Sequence, residues 1–159
     1  MEVNKMPETN ENSVADLIVR PHHTAVSVAD FESARDFFVN IIGMKLEGEA
    51  NNRDEENLGL VVGLPGAVIR WALLERDGYR IELFKYHTPE GREVPIRQCD
   101  YGLTHMAFEV SDTDEVFRRL KELGYETLSD PLELRGGVTK PIYVKGPGGI
   151  IIEFLEIRK

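Results

Sequence analysis

A chain of 159 residues that is 42% hydrophobic and 30% charged has the size and composition of an ordinary globular protein, and no apolar run is long enough to cross a membrane. The chain carries 19 Lys and Arg residues against 28 Asp and Glu residues, for a net charge of −9. So acidic a surface repels phosphate backbones, and we therefore expect neither a nucleic-acid partner nor membrane association.

Two features of the sequence indicate the compartment. Cys99 is the single cysteine, so no internal disulfide can form, as is typical of a protein in a reducing environment. Residues 1–16 are polar and lack the apolar stretch that a secretory signal needs. These features predict a cytoplasmic protein whose residues 1–19 form a flexible N-terminal tail.

An internal repeat divides the rest of the chain into two halves. In the first half, His23 opens a short alternating segment that ends at Asp30, and His105 and Asp112 repeat this pattern at the same spacing. Each aspartate is suited to cap the N-terminus of a helix, because its carboxylate can accept from free backbone N–H groups. The repeat therefore predicts a strand followed by a helix in each half.

The two predicted helices are amphipathic, and each ends at a glycine, Gly43 or Gly124, which tolerates the left-handed backbone of a helix C-terminus. Three strands are predicted after each helix, over 44–47, 67–74 and 79–86 in the first half and over 126–128, 139–144 and 150–156 in the second. Residues 47–66 are predicted to form a long acidic loop.

This order of elements predicts an α+β fold. It consists of two tandem βαβββ modules, residues 20–86 and 103–159, joined by a linker over residues 87–102. The modules are expected to form a curved mixed β-sheet with helices on its convex side and a metal-binding cleft on its concave side.

Four residues of the repeat are candidate ligands for one divalent metal ion. Glu153 and, less clearly, Glu82 lie within apolar strands, where an unpaired buried carboxylate is costly and needs a cation. The repeat pairs these glutamates with His105 and His23, and imidazole with carboxylate ligands suits Zn, Ni, Co, Mn or Fe. A lone strand histidine is more often structural, but recurrence as matched pairs favours a metal site.

Four further residues are candidate substrate contacts. Arg80, on the predicted cleft face of its strand, can clamp a substrate carboxylate, or it can form an ion pair with an acid such as Glu109. Trp71 and Tyr101 can wall an apolar pocket, although core packing is the stronger interpretation for Trp71. Tyr143 can reach the cleft or cap a sheet edge.

The repeated His-strand-Asp-helix-Gly plan and the closing Gly-Pro-Gly-Gly-Ile-Ile-Ile-Glu-Phe segment resemble the vicinal oxygen chelate superfamily, over roughly residues 20–157. This group includes glyoxalase I, methylmalonyl-CoA epimerase, extradiol dioxygenases and drug-resistance proteins. The resemblance implies that His23, Glu82, His105 and Glu153 hold the metal and that the chain is a homodimer. It also implies that Glu153, either alone or together with Glu82, moves a proton next to a metal-polarised carbonyl of a small substrate with vicinal oxygens.

The resemblance has limits that leave the substrate open. Glyoxalase I binds glutathione with residues whose positions correspond here to Ser27, Tyr86 and Tyr101, none of which matches, so glutathione is not expected. The epimerases usually carry glutamine where Glu82 stands, so a CoA ester is not assured either.

Three activities follow in order of preference. The first is a metal-dependent lyase or isomerase that works through an enediolate. The second is an iron(II) ring-cleaving dioxygenase that uses His23, His105 and Glu153, in which Glu82 would be a surplus ligand. The third is a metal-poor protein that binds a drug or metabolite.

Overall fold

In the computed structural model, which describes residues 13–158, the first half of the chain forms a mixed four-stranded sheet covered by a helix. Its elements are β1 (Thr24–Ser27), α1 (Phe31–Asp36, continued by a π-helical turn over Phe37–Ile41), β2 (Lys45–Arg53), α2 (Glu56–Val61), β3 (Val68–Arg76) and β4 (Tyr79–Thr88). The strand order is β1-β4-β3-β2, and β1 runs parallel to β4 while the other neighbours are antiparallel. The first and last strands of the module are therefore adjacent.

The second half repeats this plan with a three-stranded sheet. Its elements are β5 (Met106–Glu109), α3 (Thr113–Glu122), β6 (Thr139–Lys145) and β7 (Ile151–Ile157), in the sheet order β5-β7-β6 with β5 parallel to β7. The strand predicted over residues 126–128 is reduced to one bridge, Thr127 to Val144. Two hydrogen bonds of 2.8 Å, from Leu128 N to Tyr143 O and from Lys145 N to Glu126 O, hold this short segment beside β6.

The predicted plan of two βαβββ modules is confirmed, with two separate sheets in place of one continuous sheet. The predicted caps are present, because the Asp30 and Asp112 carboxylates accept from the backbone N–H groups of Ser33 and Glu115 at 3.0 and 2.9 Å. The predicted glycine terminators are also present, since Gly43 and Gly124 have φ values of 77° and 84°.

Residues 47–66 differ from the predicted loop. Strand β2 continues through Arg53, and α2 occupies much of the remainder. The pairing of β2 with β3 shifts register between Leu46 and Gly48 and again between Ala50 and Arg53. These irregularities insert extra residues into an edge strand and break its alternation, which explains why the segment has the sequence pattern of a loop.

Both modules contribute to a common hydrophobic core. Phe37, Leu74 and Ile81 of the first module are fully buried in the same cluster as Ile142 and Ile152 of the second. The π-helical turn at the end of α1 departs from the predicted regular helix, and Phe37 and its neighbour in sequence are both buried there. The two modules therefore pack against each other at the C-terminal end of α1, where the π-helical turn lies.

Replacing Phe37 by alanine is expected to lower the free energy of unfolding by about 3–5 kcal/mol, because a ring that is 1% exposed leaves a cavity between the modules. Its ring lies 5.2 Å from that of Tyr125 in the second module, so both modules should lose stability together. Urea unfolding followed by circular dichroism measures the change. Val61→Ala, at a side chain that is 85% exposed, is the control, and a loss below about 1 kcal/mol for Phe37→Ala would contradict the shared core.

Two expectations concerned the N-terminal tail and association with a membrane. Most of the tail predicted over residues 1–19 lies outside the described residues, and residues 13–19 are exposed. No helix within residues 13–158 has the length and apolar character needed to cross a membrane.

Candidate metal centre

The parallel pairing of β1 with β4 places the first histidine beside the first glutamate. His23 directly precedes β1, and Ala25 of that strand is the register partner of Glu82 in β4. The His23 Nε2 atom lies 2.8 Å from Glu82 Oε2, with the side chains 34% and 19% exposed. The pair is therefore partly covered and open on one side.

The second module repeats this arrangement. His105 directly precedes β5, and Ala107 is the register partner of Glu153 in β7. The His105 Nε2 atom lies 3.3 Å from Glu153 Oε2, with the side chains 32% and 13% exposed. Each module thus presents one imidazole and one carboxylate from its two adjacent parallel strands.

The second ring nitrogen of each histidine also has a polar neighbour. The His23 Nδ1 atom lies 2.8 Å from Nδ1 of His22, and the His105 Nδ1 atom lies 3.0 Å from Gln98 Oε1 and 3.1 Å from Thr104 Oγ1. Partners of this kind orient metal-binding imidazoles and direct the Nε2 atom towards the ion. Sequence reasoning gave His22 and Gln98 no role, because neither has a counterpart in the repeat.

A tryptophan contacts the first glutamate. The Trp71 Nε1–H group donates to Glu82 Oε1 at 2.6 Å. The sequence favoured core packing for Trp71, but its side chain is only half-buried and shares a sheet face with Glu82. The alternation of β3 puts Ala72 and Leu74, and not Trp71, into the core.

A tyrosine occupies the corresponding region of the second module. Tyr143 is the register partner of Glu153, and its ring meets that of His105 edge-on with centroids 5.1 Å apart. Burial, followed by the nearby charge of Glu153, raises the pKa of Tyr143 above its ordinary value. The Tyr143 hydroxyl can donate a hydrogen bond, and the Glu153 carboxylate is the acceptor beside it.

The other two predicted substrate contacts are Arg80, which is paired with an acid, and Tyr101, which is exposed. Arg80 donates to Glu47 through Nε at 2.7 Å and Nη2 at 3.2 Å, so its ionic partner is Glu47 and not Glu109. Tyr101 is fully exposed.

The two His–Glu pairs do not meet within one chain. Among residues 13–158, no three His, Cys, Asp or Glu side chains come together as a group able to hold a metal ion. A cavity of about 390 Å³ lies between the modules near Ile42, Phe108 and Leu120, and neither pair lines it. A second cavity, of about 160 Å³, is lined by the candidate ligand His105 and by the linker residue Ile96.

Comparison with known proteins identifies the relatives of this chain. The sequence profile of the Glyoxalase/Bleomycin resistance protein/Dioxygenase superfamily matches residues 20–154. A 2-epi-5-epi-valiolone epimerase from Actinomyces is 28% identical, over 87% of this chain and 80% of that protein. A lactoylglutathione lyase from Neisseria meningitidis is also 28% identical, over 84% of this chain and 88% of that protein. A crystal structure of a glyoxalase family protein from Bacillus cereus superposes with a TM-score of 0.82 at 26% identity, over 96% of this chain and 100% of that chain.

Proposed function

Because the chain belongs to the Glyoxalase/Bleomycin resistance protein/Dioxygenase superfamily, we propose that it is a divalent-metal-dependent lyase or isomerase that moves a proton next to a carbonyl group of a small substrate. The observation that carries the proposal is the repeated contact of one imidazole with one carboxylate, His23 with Glu82 and His105 with Glu153. Relatives with lyase and epimerase activity support the same class of reaction.

The donor set fits one divalent ion such as Zn, Ni, Co, Mn or Fe. Two imidazole nitrogens and two carboxylate oxygens neutralise the charge of the ion and leave room for a substrate with vicinal oxygens. The Nδ1 partners of both histidines leave their Nε2 atoms as the metal-facing donors. A divalent ion held there would stabilise the negative charge that develops on a carbonyl oxygen when the neighbouring carbon loses its proton.

Glu153 is the proposed base. Its Oε2 atom is 3.3 Å from His105, the longer of the two His–Glu contacts, and in the proposed reaction this carboxylate turns towards a substrate carbon. A carboxylate within reach can accept the proton and return it to the same carbon or its neighbour. Tyr143, which faces Glu153, is the proposed donor to a substrate oxygen.

We place the complete centre between two chains. Each pair supplies half of the donors, each is open on one side, and within residues 13–158 the halves do not meet. A two-fold dimer in which His23 and Glu82 of one chain face His105 and Glu153 of a second copy would form two equal sites. The partly exposed apolar side chains on the same faces, Leu73 among them, would then be covered by the partner.

Metal analysis tests the proposed function. Protein stripped with a chelator and dialysed against each candidate metal should retain about one ion per chain, because a symmetric dimer has two equal sites. A metal-loaded sample should exchange a carbon-bound proton in D₂O with at least one member of a panel of 2-oxo acids, thioesters, hemithioacetals and catechols. Absence of any retained metal, or oxygen consumption with iron(II) and a catechol, would contradict the proposal, and the second result would favour a dioxygenase.

A further inference from the structure

The two glutamates of the proposed centre are held differently. Glu82 is engaged at both oxygens, since Oε2 lies 2.8 Å from His23 and Oε1 accepts from the Trp71 indole at 2.6 Å. Glu153 faces Tyr143 in place of an indole, and its contact with histidine is longer, at 3.3 Å. Contacts of 2.8 and 2.6 Å on its two oxygens restrict rotation of the Glu82 carboxylate more than the longer histidine contact and the neighbouring Tyr143 hydroxyl restrict rotation of the Glu153 carboxylate.

Neighbouring residues of the sheet pack against the indole of Trp71. Gly48 in β2 lies against the ring, and a Cβ atom at that position would come within 3.1 and 3.2 Å of ring atoms Cη2 and Cζ3. The register shift between Leu46 and Gly48 brings this glycine opposite Leu73 of β3, two residues from Trp71. Arg53, which also belongs to β2, places its guanidinium carbon 5.8 Å from the centroid of the Trp71 ring. Trp71 therefore has packing contacts with β2 in addition to its hydrogen bond to Glu82.

We propose that Trp71 is a positioning residue that fixes the Glu82 carboxylate as a permanent metal ligand and thereby leaves the proton-transfer role to Glu153 alone. The inference rests on the proposed metal centre and goes beyond it, because it divides two roles that the repeat makes formally equivalent. The two glutamates have different partners because the chain contains a single tryptophan, which contacts Glu82, while Tyr143 lies beside Glu153. An N–H donor to a ligand carboxylate orients it before the ion arrives, and loss of such a partner typically weakens metal binding about 10–100-fold.

The affinity of the metal-free protein for Zn²⁺ or Ni²⁺, measured by competition with a chromophoric chelator, tests this role without relying on activity. Trp71→Phe keeps an aromatic ring but removes the donor, and we expect its dissociation constant to rise about 10–100-fold. Phe84→Leu changes an aromatic side chain at the register partner of Trp71 without removing a donor, and should bind metal like the wild type. Circular dichroism should show that both variants are folded.

A double-substitution cycle separates positioning from general packing. Glu82→Gln should weaken metal binding by itself, and adding Trp71→Phe should then cost little more, because the two residues act through one hydrogen bond. Additive losses would overturn the positioning role, as would wild-type affinity in Trp71→Phe while Phe84→Leu is also unchanged. Failure of the wild type to bind any metal is a different result, which overturns the proposed function and with it this inference.

A second measurement detects the contact in the absence of metal. With one tryptophan, the ¹⁵N-labelled protein gives one indole N–H resonance, and a short hydrogen bond to a carboxylate should shift it downfield. In Glu82→Gln this resonance should move upfield, whereas Glu126→Gln, at an exposed carboxylate that pairs with Lys145, should leave it in place. An indole resonance that is the same in wild type and Glu82→Gln would overturn the proposal.

Discussion

A mixed dimer of a His23→Ala chain and a His105→Ala chain is expected to regain one complete metal centre, although each variant alone has none. If the centre lies between chains, one site of the mixed dimer contains both substitutions and the other contains neither. About half of the wild-type metal content and exchange activity per dimer should therefore return. Co-expression with two different affinity tags isolates the mixed dimer, and elemental analysis with an exchange assay measures both quantities.

The control is a mixed dimer in which both chains carry His105→Ala, since neither arrangement of modules then gives an intact site. The open geometry of the two pairs within a single chain is the basis of the expected recovery. If the four ligands instead came from one chain, every site in the mixed dimer would lack one histidine. A mixed dimer with no more metal than its parents would contradict the shared centre, as would a monomeric wild type by light scattering.

Glu153→Gln is expected to reduce deuterium exchange at the substrate carbon by about 10²–10⁴-fold at saturating metal, because the amide cannot accept the proton. The substitution preserves the shape of the side chain and its position on β7 beside Ala107. Proton NMR of the substrate in D₂O measures the exchange rate directly, so product release does not enter.

Two further variants serve as comparisons for Glu153→Gln. Glu126→Gln removes an exposed carboxylate and should leave the exchange rate unchanged. Glu82→Gln should lose metal affinity first and, once metal is saturating, should retain more exchange than Glu153→Gln. The reverse order would assign the base to Glu82, and full exchange in Glu153→Gln would remove Glu153 from the reaction.

The relatives narrow the chemistry without naming the substrate. One relative acts on a glutathione derivative and another is an epimerase, as their names state. Ser27, Tyr86 and Tyr101 stand where the resemblance would place glutathione contacts, and Tyr101 is fully exposed. A panel of carbonyl compounds is therefore a better starting point than glutathione adducts.

The sequence alone determined the modules and indicated which histidine and which glutamate come together in each of them. The repeat of His, strand, Asp and helix fixed which residues correspond, and the period-two alternation of strands indicated that a glutamate lay on an apolar face. Once β1 pairs with β4, and β5 with β7, the geometry of parallel strands brings each histidine to its glutamate. These are consequences of the repeated chain order and of side-chain direction, and both can be predicted from residue types.

The tertiary structure decided what depends on contacts between distant segments. The packing of Trp71 against Gly48 depends on a register shift in β2. The same irregularity interrupts the alternation of β2, so the full length of this strand was not predicted from the sequence. The hydrogen bond between Gln98 and His105 depends on the path of a linker that has no repeat partner. The separation of the two His–Glu pairs depends on which surfaces of the modules pack together, with Phe37 of one module against Tyr125 of the other. Sequence periodicity records which face of an element is apolar but not which other face covers it, and only the packed chain supplies that information.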